Sequence, residues 1–167
     1  RALRGVVSFQ HGTATARTAA PSTPDPNNGV VAAAVFAGHG YLLVAPDYLG
    51  LGASTEPHPY YHAESTANAV VDLLRASREV VEAAGLDWPD ALFLVGFSQG
   101  GHATLAAQRA LETQPRDGLR VRASASLAGP FDLAGIGFRT RSRDARVSRV
   151  STSPGSRTAT PASTARR

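Results

Sequence analysis

The chain has 167 residues and a mass of 17.3 kDa, with 43% hydrophobic and 18% charged residues, enough for one domain with a packed core. It contains no Cys and no Met, which excludes a disulfide framework and a thiolate metal site and makes the chain read as a processed product or a fragment. The net charge of +4 sits at one end: eight of the 17 basic residues, all Arg, fall in 139–167 against the single acid Asp144, which leaves nine Arg and twelve acids before them, so the basicity belongs to the tail and says nothing about the folded part.

In chain order, GVVSFQ (5–10) is a β-branched run that ends at the turn signal His11-Gly12, so it is predicted as a strand. Residues 13–28, rich in Thr, Ala, Pro and Asn, read as loop, with Asn27 or Asn28 placed to cap a short apolar helix over 29–38. The apolar run in that helix is far shorter than the roughly 18 residues a membrane span needs, so the chain reads as soluble. YLLVAP (41–46) is a second buried strand, closed by Pro46-Asp47, and 47–63 is a loop rich in Gly, His, Tyr and Pro. The clearest helix is predicted over 64–84: Ala67, Val70, Val71, Leu74, Val81 and Ala84 share one face, and Arg75, Arg78, Glu79 and Glu82 cover the other. ALFLV (91–95) is the third strand, 99–113 the next helix, and LRVRASASLA (119–128) the fourth strand. Strands and helices that alternate in this way, with near-continuous apolar strands, place the chain in the α/β class, as a parallel sheet flanked by helices.

Beyond about Gly137 the composition changes to Arg, Ser, Thr, Ala and Pro. Such a segment cannot bury enough apolar surface to offset the entropy of ordering, so the expected organisation is a core over 1–138 and a disordered tail over 139–167. With no aromatic residue after Phe138, the tail offers only salt-sensitive attraction to phosphates, and no specific nucleic-acid partner is expected.

The chemistry concentrates in LFLVGFSQGGH (92–102), where a strand runs straight into a glycine-flanked serine. Gly-x-Ser-x-Gly between a strand and a helix is the pattern of a nucleophile elbow, in which small residues on either side let strand and helix pass closely around a strained Ser. Ser98 is the candidate nucleophile. The oxyanion that forms on attack needs donors, and the backbone N–H of Gln99 is the natural first one. Gln10-His11-Gly12-Thr13, at the end of the first strand, offers the second through Thr13 or Gly12 N–H. His11, Asp47 and Tyr48 are candidates for lining the substrate site, because open α/β sheets bind ligands at the carboxyl edge of their strands. His58, Tyr60 and His62 form a polar aromatic cluster in the following loop, read chiefly as a packed loop. The five His show no metal-ligand spacing, and no metal or cofactor is expected.

SFQHGT (8–13), APDYLGLG (45–52), HPYYHAES (58–65), GFSQGGH (96–102) and GPFDL (129–133) occur in this order. Together they resemble the α/β-hydrolase superfamily and, within it, the secretory-lipase family of esterases and lipases. The resemblance covers about 5–134 and implies a serine hydrolase acting on a small-molecule ester or a lipid, secreted or held at the cell envelope. It also implies that the four strands are the third to the sixth of a larger sheet.

In α/β-hydrolases the acid and then the base follow the nucleophile along the chain. Only His102 follows Ser98, one helical turn later, and it is expected to be structural. Among the acids that follow, Glu112, Asp117, Asp132 and Asp144, only Asp132 is placed at the correct edge of the sheet, one strand earlier than the resemblance implies. The expectation is therefore a truncated or frame-shifted copy of a larger hydrolase. Its ester hydrolysis through an acyl-enzyme would be impaired by loss of the acid and base, the alternative being a non-catalytic remnant.

Overall fold

The computed structural model describes residues 3–23, 28–115, 118–133 and 135. It divides into a unit over Arg1–Phe131 and a second over Asp132–Arg167. The expected boundary at 138 and the tail 139–167 lie outside the described residues, as do Asp117 and Asp144.

In the first unit, β1 (Val6–Gln10), β2 (Leu42–Val44), β3 (Leu92–Phe97) and β4 (Val121–Leu127) form one parallel sheet in the order β2-β1-β3-β4. The helices are α1 (Asn28–Phe36), α2 (Ala63–Ala83) and α3 (Gln99–Thr113). The step from β1 to β2 runs one way across the sheet, and the steps from β2 to β3 and on to β4 run the other way. Right-handed crossovers then require α1 on one face and α2 with α3 on the opposite one.

The alternation of the strands matches this. Val6, Leu92 and Leu94 are buried in one cluster with Val70 and Leu74 of α2 and Ala103, Ala107 and Leu111 of α3. Val7, Phe93 and Val95 point to the other face, where they border an open apolar hollow of about 310 Å³ together with Phe36 and Tyr41. Helix α1 covers that face only in part, and its Val31 and Val35 stay 63% and 49% exposed.

Predicted and observed elements differ mainly at their ends. The strand expected over 41–46 keeps pairing only from Leu42 to Val44. Pro46 lacks an N–H for a ladder, and the chain turns away before Asp47. The fourth strand begins at Val121 rather than at 119, with a bulge where β4 joins β3 at Leu92 and Phe93.

Beneath the sheet's carboxyl edge lies a small buried polar network. Ser8, Gln10 and Thr104 are each fully buried between β1 and α3. The network closes when the Gln10 amide oxygen accepts from Ser8 Oγ at 2.7 Å and its nitrogen donates to Val95 O at 3.0 Å and Thr104 Oγ1 at 2.9 Å. Thr104 Oγ1 in turn donates to Gly100 O at 2.8 Å. This ties the end of β1 to the start of α3, the two elements from which the candidate site is built.

Candidate active site

Ser98 stands alone between β3, which ends at Phe97, and α3, which begins at Gln99. Its backbone has φ 58° and ψ −121°, in a region that side-chain-bearing residues rarely adopt. Three hydrogen bonds hold the turn: Ser98 N–H donates to Leu127 O at 2.9 Å, and Ser98 O accepts from Gly101 N at 2.9 Å and His102 N at 3.3 Å.

The flanking glycines follow from close approach. A Cβ on Gly96 would run into the Gly100 carbonyl, and one on Gly100 would run into the Gln10 carbonyl. The strand, the helix and the neighbouring strand therefore meet backbone to backbone at this point. The Gly-x-Ser-x-Gly spacing supplies the two positions without side chains that such a meeting needs.

Because Gln10 pairs with Gly96 across the β1–β3 ladder, the turn His11-Gly12-Thr13 emerges beside Phe97 and Ser98 at the carboxyl edge. A Cβ added to Gly12 would lie there within van der Waals reach of the Phe97 carbonyl. The first N–H groups of α3, at Gln99 and Gly100, have no carbonyl one helical turn earlier. The arrangement thus sets a half-buried turn serine between a helix N-terminus and a second loop rich in backbone N–H groups. A hydroxyl so placed can attack a carbonyl carbon while nearby dipoles face the oxygen that becomes negative.

His11 and Tyr48 are 3% and 4% exposed, so they form the floor beneath the turn. Their rings stack at 4.2 Å, Tyr48 Oη donates to His11 O at 3.1 Å, and the His11 ring nitrogens face Gly12 O at 2.7 Å and Asp47 O at 3.1 Å. Burial pushes the His11 imidazole below its ordinary pKa, against the pull of those two carbonyls. Burial likewise pushes the Tyr48 phenol upward. The Asp47 carboxylate turns outward and accepts from the Ser22 amide at 2.9 Å and from the Ser22 hydroxyl.

The loop before α2 closes over this floor. His58 Nδ1 donates to Leu49 O at 2.7 Å, which leaves its Nε2 to accept from Gln99 Nε2 at 2.9 Å. Gln99 is 1% exposed, and its Oε1 is buried without a partner. Thr13 Oγ1 meets Tyr60 Oη at 2.8 Å, and the Tyr61 phenol interacts with the hydroxyls of Tyr60, Thr13 and Ser98. His62 caps α2 by accepting from Ser65 N. Sequence reasoning grouped His58, Tyr60 and His62 as one cluster and passed over Tyr61; the doubled Tyr in HPYYHAES was the available signal.

Among the described residues, no imidazole hydrogen-bonds the Ser98 hydroxyl. His11, His39, His58 and His62 bond elsewhere, and His102 Nδ1 is buried without a partner. Burial holds His102 below the ordinary imidazole pKa. Asp132 belongs to the second unit, where its Oδ1 accepts from Gly135 N at 2.8 Å. No group of acids and imidazoles that could hold a metal occurs among the described residues, and none of their helices is long and apolar enough to cross a membrane.

Comparison with known proteins supplies the context. The secretory lipase family profile matches residues 29–116. A solved hydrolase structure from Legionella pneumophila is 36% identical, with a TM-score of 0.72, and the match covers 78% of this chain and 35% of that one. The ligand-bound rice cell wall degrading esterase LipA from Xanthomonas oryzae is 32% identical, with a TM-score of 0.66, over 77% of this chain and 34% of that one. Candida antarctica lipase A in its closed state shares the fold at 24% identity and a TM-score of 0.52, over 72% of this chain and 29% of that one. No curated protein matches. The chain spans about a third of the length of the first two structures.

Proposed function

The chain belongs to the secretory lipase family, and from that premise we propose that Ser98 is the nucleophile of a carboxylic-ester hydrolase working through an acyl-enzyme. The observation that carries this reading is the positive φ of Ser98 between β3 and the N-terminus of α3, with the His11-Gly12-Thr13 turn alongside. In this mechanism Ser98 Oγ bonds to the ester carbonyl carbon and gives its proton to a base, and the carbonyl π pair moves onto oxygen. Gln99 N–H and Gly12 or Thr13 N–H hold that oxyanion. Collapse re-forms the carbonyl and expels the alcohol, which takes a proton, and water then cleaves the acyl-serine. His11, Asp47 and Tyr48 shape the floor under the substrate, and no step calls for a metal or cofactor. The substrate class is a small-molecule or lipid ester, in keeping with the esterase among the structural relatives and with the family's name, which also favours a secreted setting.

A second reading is a non-catalytic remnant of such a hydrolase. It is favoured by the lack of an imidazole on the Ser98 hydroxyl among the described residues. Loss of a triad base lowers kcat by about 10⁶, and an oxyanion hole with substrate binding still leaves about 10³–10⁴ over water. Residues 1–167 should therefore hydrolyse p-nitrophenyl acetate slowly, with Ser98→Ala changing turnover only slightly. Fast turnover that falls by several orders of magnitude in Ser98→Ala would overturn the impairment and the remnant reading together.

The nucleophile itself is tested by mapping acetyl adducts after alkaline incubation with the same ester, where hydroxide takes up the serine proton. Preferential acetylation of Ser98 supports the proposal. Acetyl groups spread evenly over the serines would overturn it.

A further inference from the structure

Tyr61 is an aromatic residue held at φ 58°, a conformation that persists only where the surroundings impose it. The turn on either side of it is pinned. His62 N–H donates to Pro59 O at 3.0 Å, and His62 O accepts from Thr66 N at 3.1 Å, Thr66 Oγ1 at 2.8 Å and Ser65 Oγ at 3.2 Å. The Tyr61 ring packs 4.1 Å from the Tyr60 ring and edge-on to His102 at 5.3 Å.

Hydrophobic packing does not account for this placement, since Tyr61 lies outside the core cluster and is half-buried. What the strained turn achieves is to set the Tyr61 ring between Tyr60, whose hydroxyl meets Thr13 Oγ1 at 2.8 Å, and His102, one helical turn after Ser98; the electrostatic influence of the Thr13 and Ser98 hydroxyls reaches its phenol there. Those residues belong to the two loops between which an ester oxygen would arrive. In a tetrahedral adduct the oxyanion lies two bonds from Ser98 Oγ, so a phenol held between the Thr13 turn and the first turn of α3 stands on the side where the charge develops.

We propose that Tyr61 is a further catalytic residue, whose phenol donates a hydrogen bond to the oxyanion formed on Ser98 and so adds a side-chain donor to the backbone N–H groups. The inference rests on the reading of Ser98 as nucleophile. The Tyr60 hydroxyl first, and burial second, hold the Tyr61 phenol above its ordinary pKa of 10.0, so it keeps its hydrogen at neutral pH. No proton is transferred by Tyr61. The pair on the oxyanion returns to the carbonyl as the alkoxide leaves, and the hydrogen bond relaxes.

Tyr61→Phe keeps the ring and both ring contacts while removing the donor. Ser98 acetylation by p-nitrophenyl acetate in the full chain, followed by intact mass at increasing ester concentration, separates rate from binding. The saturating rate should fall about 10²-fold, as for loss of one oxyanion donor. Half-saturation should stay within about threefold, and the urea unfolding midpoint should not move. The corresponding thionoester, whose sulfur is a weaker acceptor, should lose less. A saturating rate within about threefold of wild type, or equal losses for ester and thionoester, would overturn the role of Tyr61 and leave Ser98 as nucleophile. Failure of the wild type to acetylate Ser98 preferentially would instead overturn the nucleophile reading, and Tyr61 with it.

Discussion

Gly100 lies directly against the carbonyl of Gln10, so close that a Cβ at position 100 would overlap that oxygen. Contact of this kind between two backbones cannot be relieved by turning a side chain. Gly100→Ala should therefore push α3 away from β1 and destabilise the fold by about 1–3 kcal/mol or more, the usual cost of overpacking. A urea unfolding midpoint equal to that of the wild type would contradict this.

His58 is the partner of the Gln99 amide nitrogen, and the Gln99 carbonyl oxygen is already buried without one. His58→Ala leaves both ends of a fully buried amide unpaired. The expected loss is about 1–3 kcal/mol of stability, the desolvation penalty of one orphaned group. It should be accompanied by slower acetylation of Ser98, because the Gln99 backbone that flanks it is held by this contact. Denaturant unfolding and adduct mapping on the same variant check the two effects separately.

How much of this was legible in the sequence depends on how local each cause is. Helix α3 was expected over 99–113 and spans Gln99–Thr113, because Gly-rich entry and apolar periodicity both lie within the segment itself. The Ser98 turn was readable for the same reason: strand, glycine, serine and glycine are contiguous. The role of Gln10 in β1 was not readable, since its partners Ser8, Val95 and Thr104 come together only through the β1–β3 register. The same holds for Tyr61, whose ring packs against His102 across a long stretch of chain. Its left-handed backbone had no glycine or asparagine to announce it. Strand β2 came out shorter than its apolar run because hydrophobicity reports burial, whereas ladder length is set by where the chain turns.

Stability should also fall on mild acidification. Burial holds both His11 and His102 below the ordinary imidazole value of 6.5 in the folded chain. Above that pH both imidazoles are neutral in either state, and their contribution is fully present. As the pH falls through 6.5 towards the depressed folded values, the unfolded chain binds protons that the folded chain resists, and stability is lost. The urea midpoint should drop between about pH 7.5 and about pH 5.5, and His102→Gln should show a smaller drop. Identical drops would mean that His102 has no share in it.

The outer strand β4 is mostly exposed along its length, and Leu127 at its end is 53% exposed. Ala123 and Ala125 border the open apolar hollow that Val7, Phe93 and Val95 form on the face partly covered by α1. Among the described residues no strand pairs with the free side of β4. A strand with unpaired N–H and C=O groups templates association with another chain, and an adjoining apolar face adds a non-directional drive to the same contact. Purified 1–167 should therefore associate as its concentration rises. Ala125→Lys places a charge on that exposed face beside the edge, which disfavours stacking of two copies without touching the α2–α3 core. Light scattering across a concentration series should show the variant shifted towards monomer. A wild type that stays monomeric throughout would mean that the edge and hollow are already protected in solution.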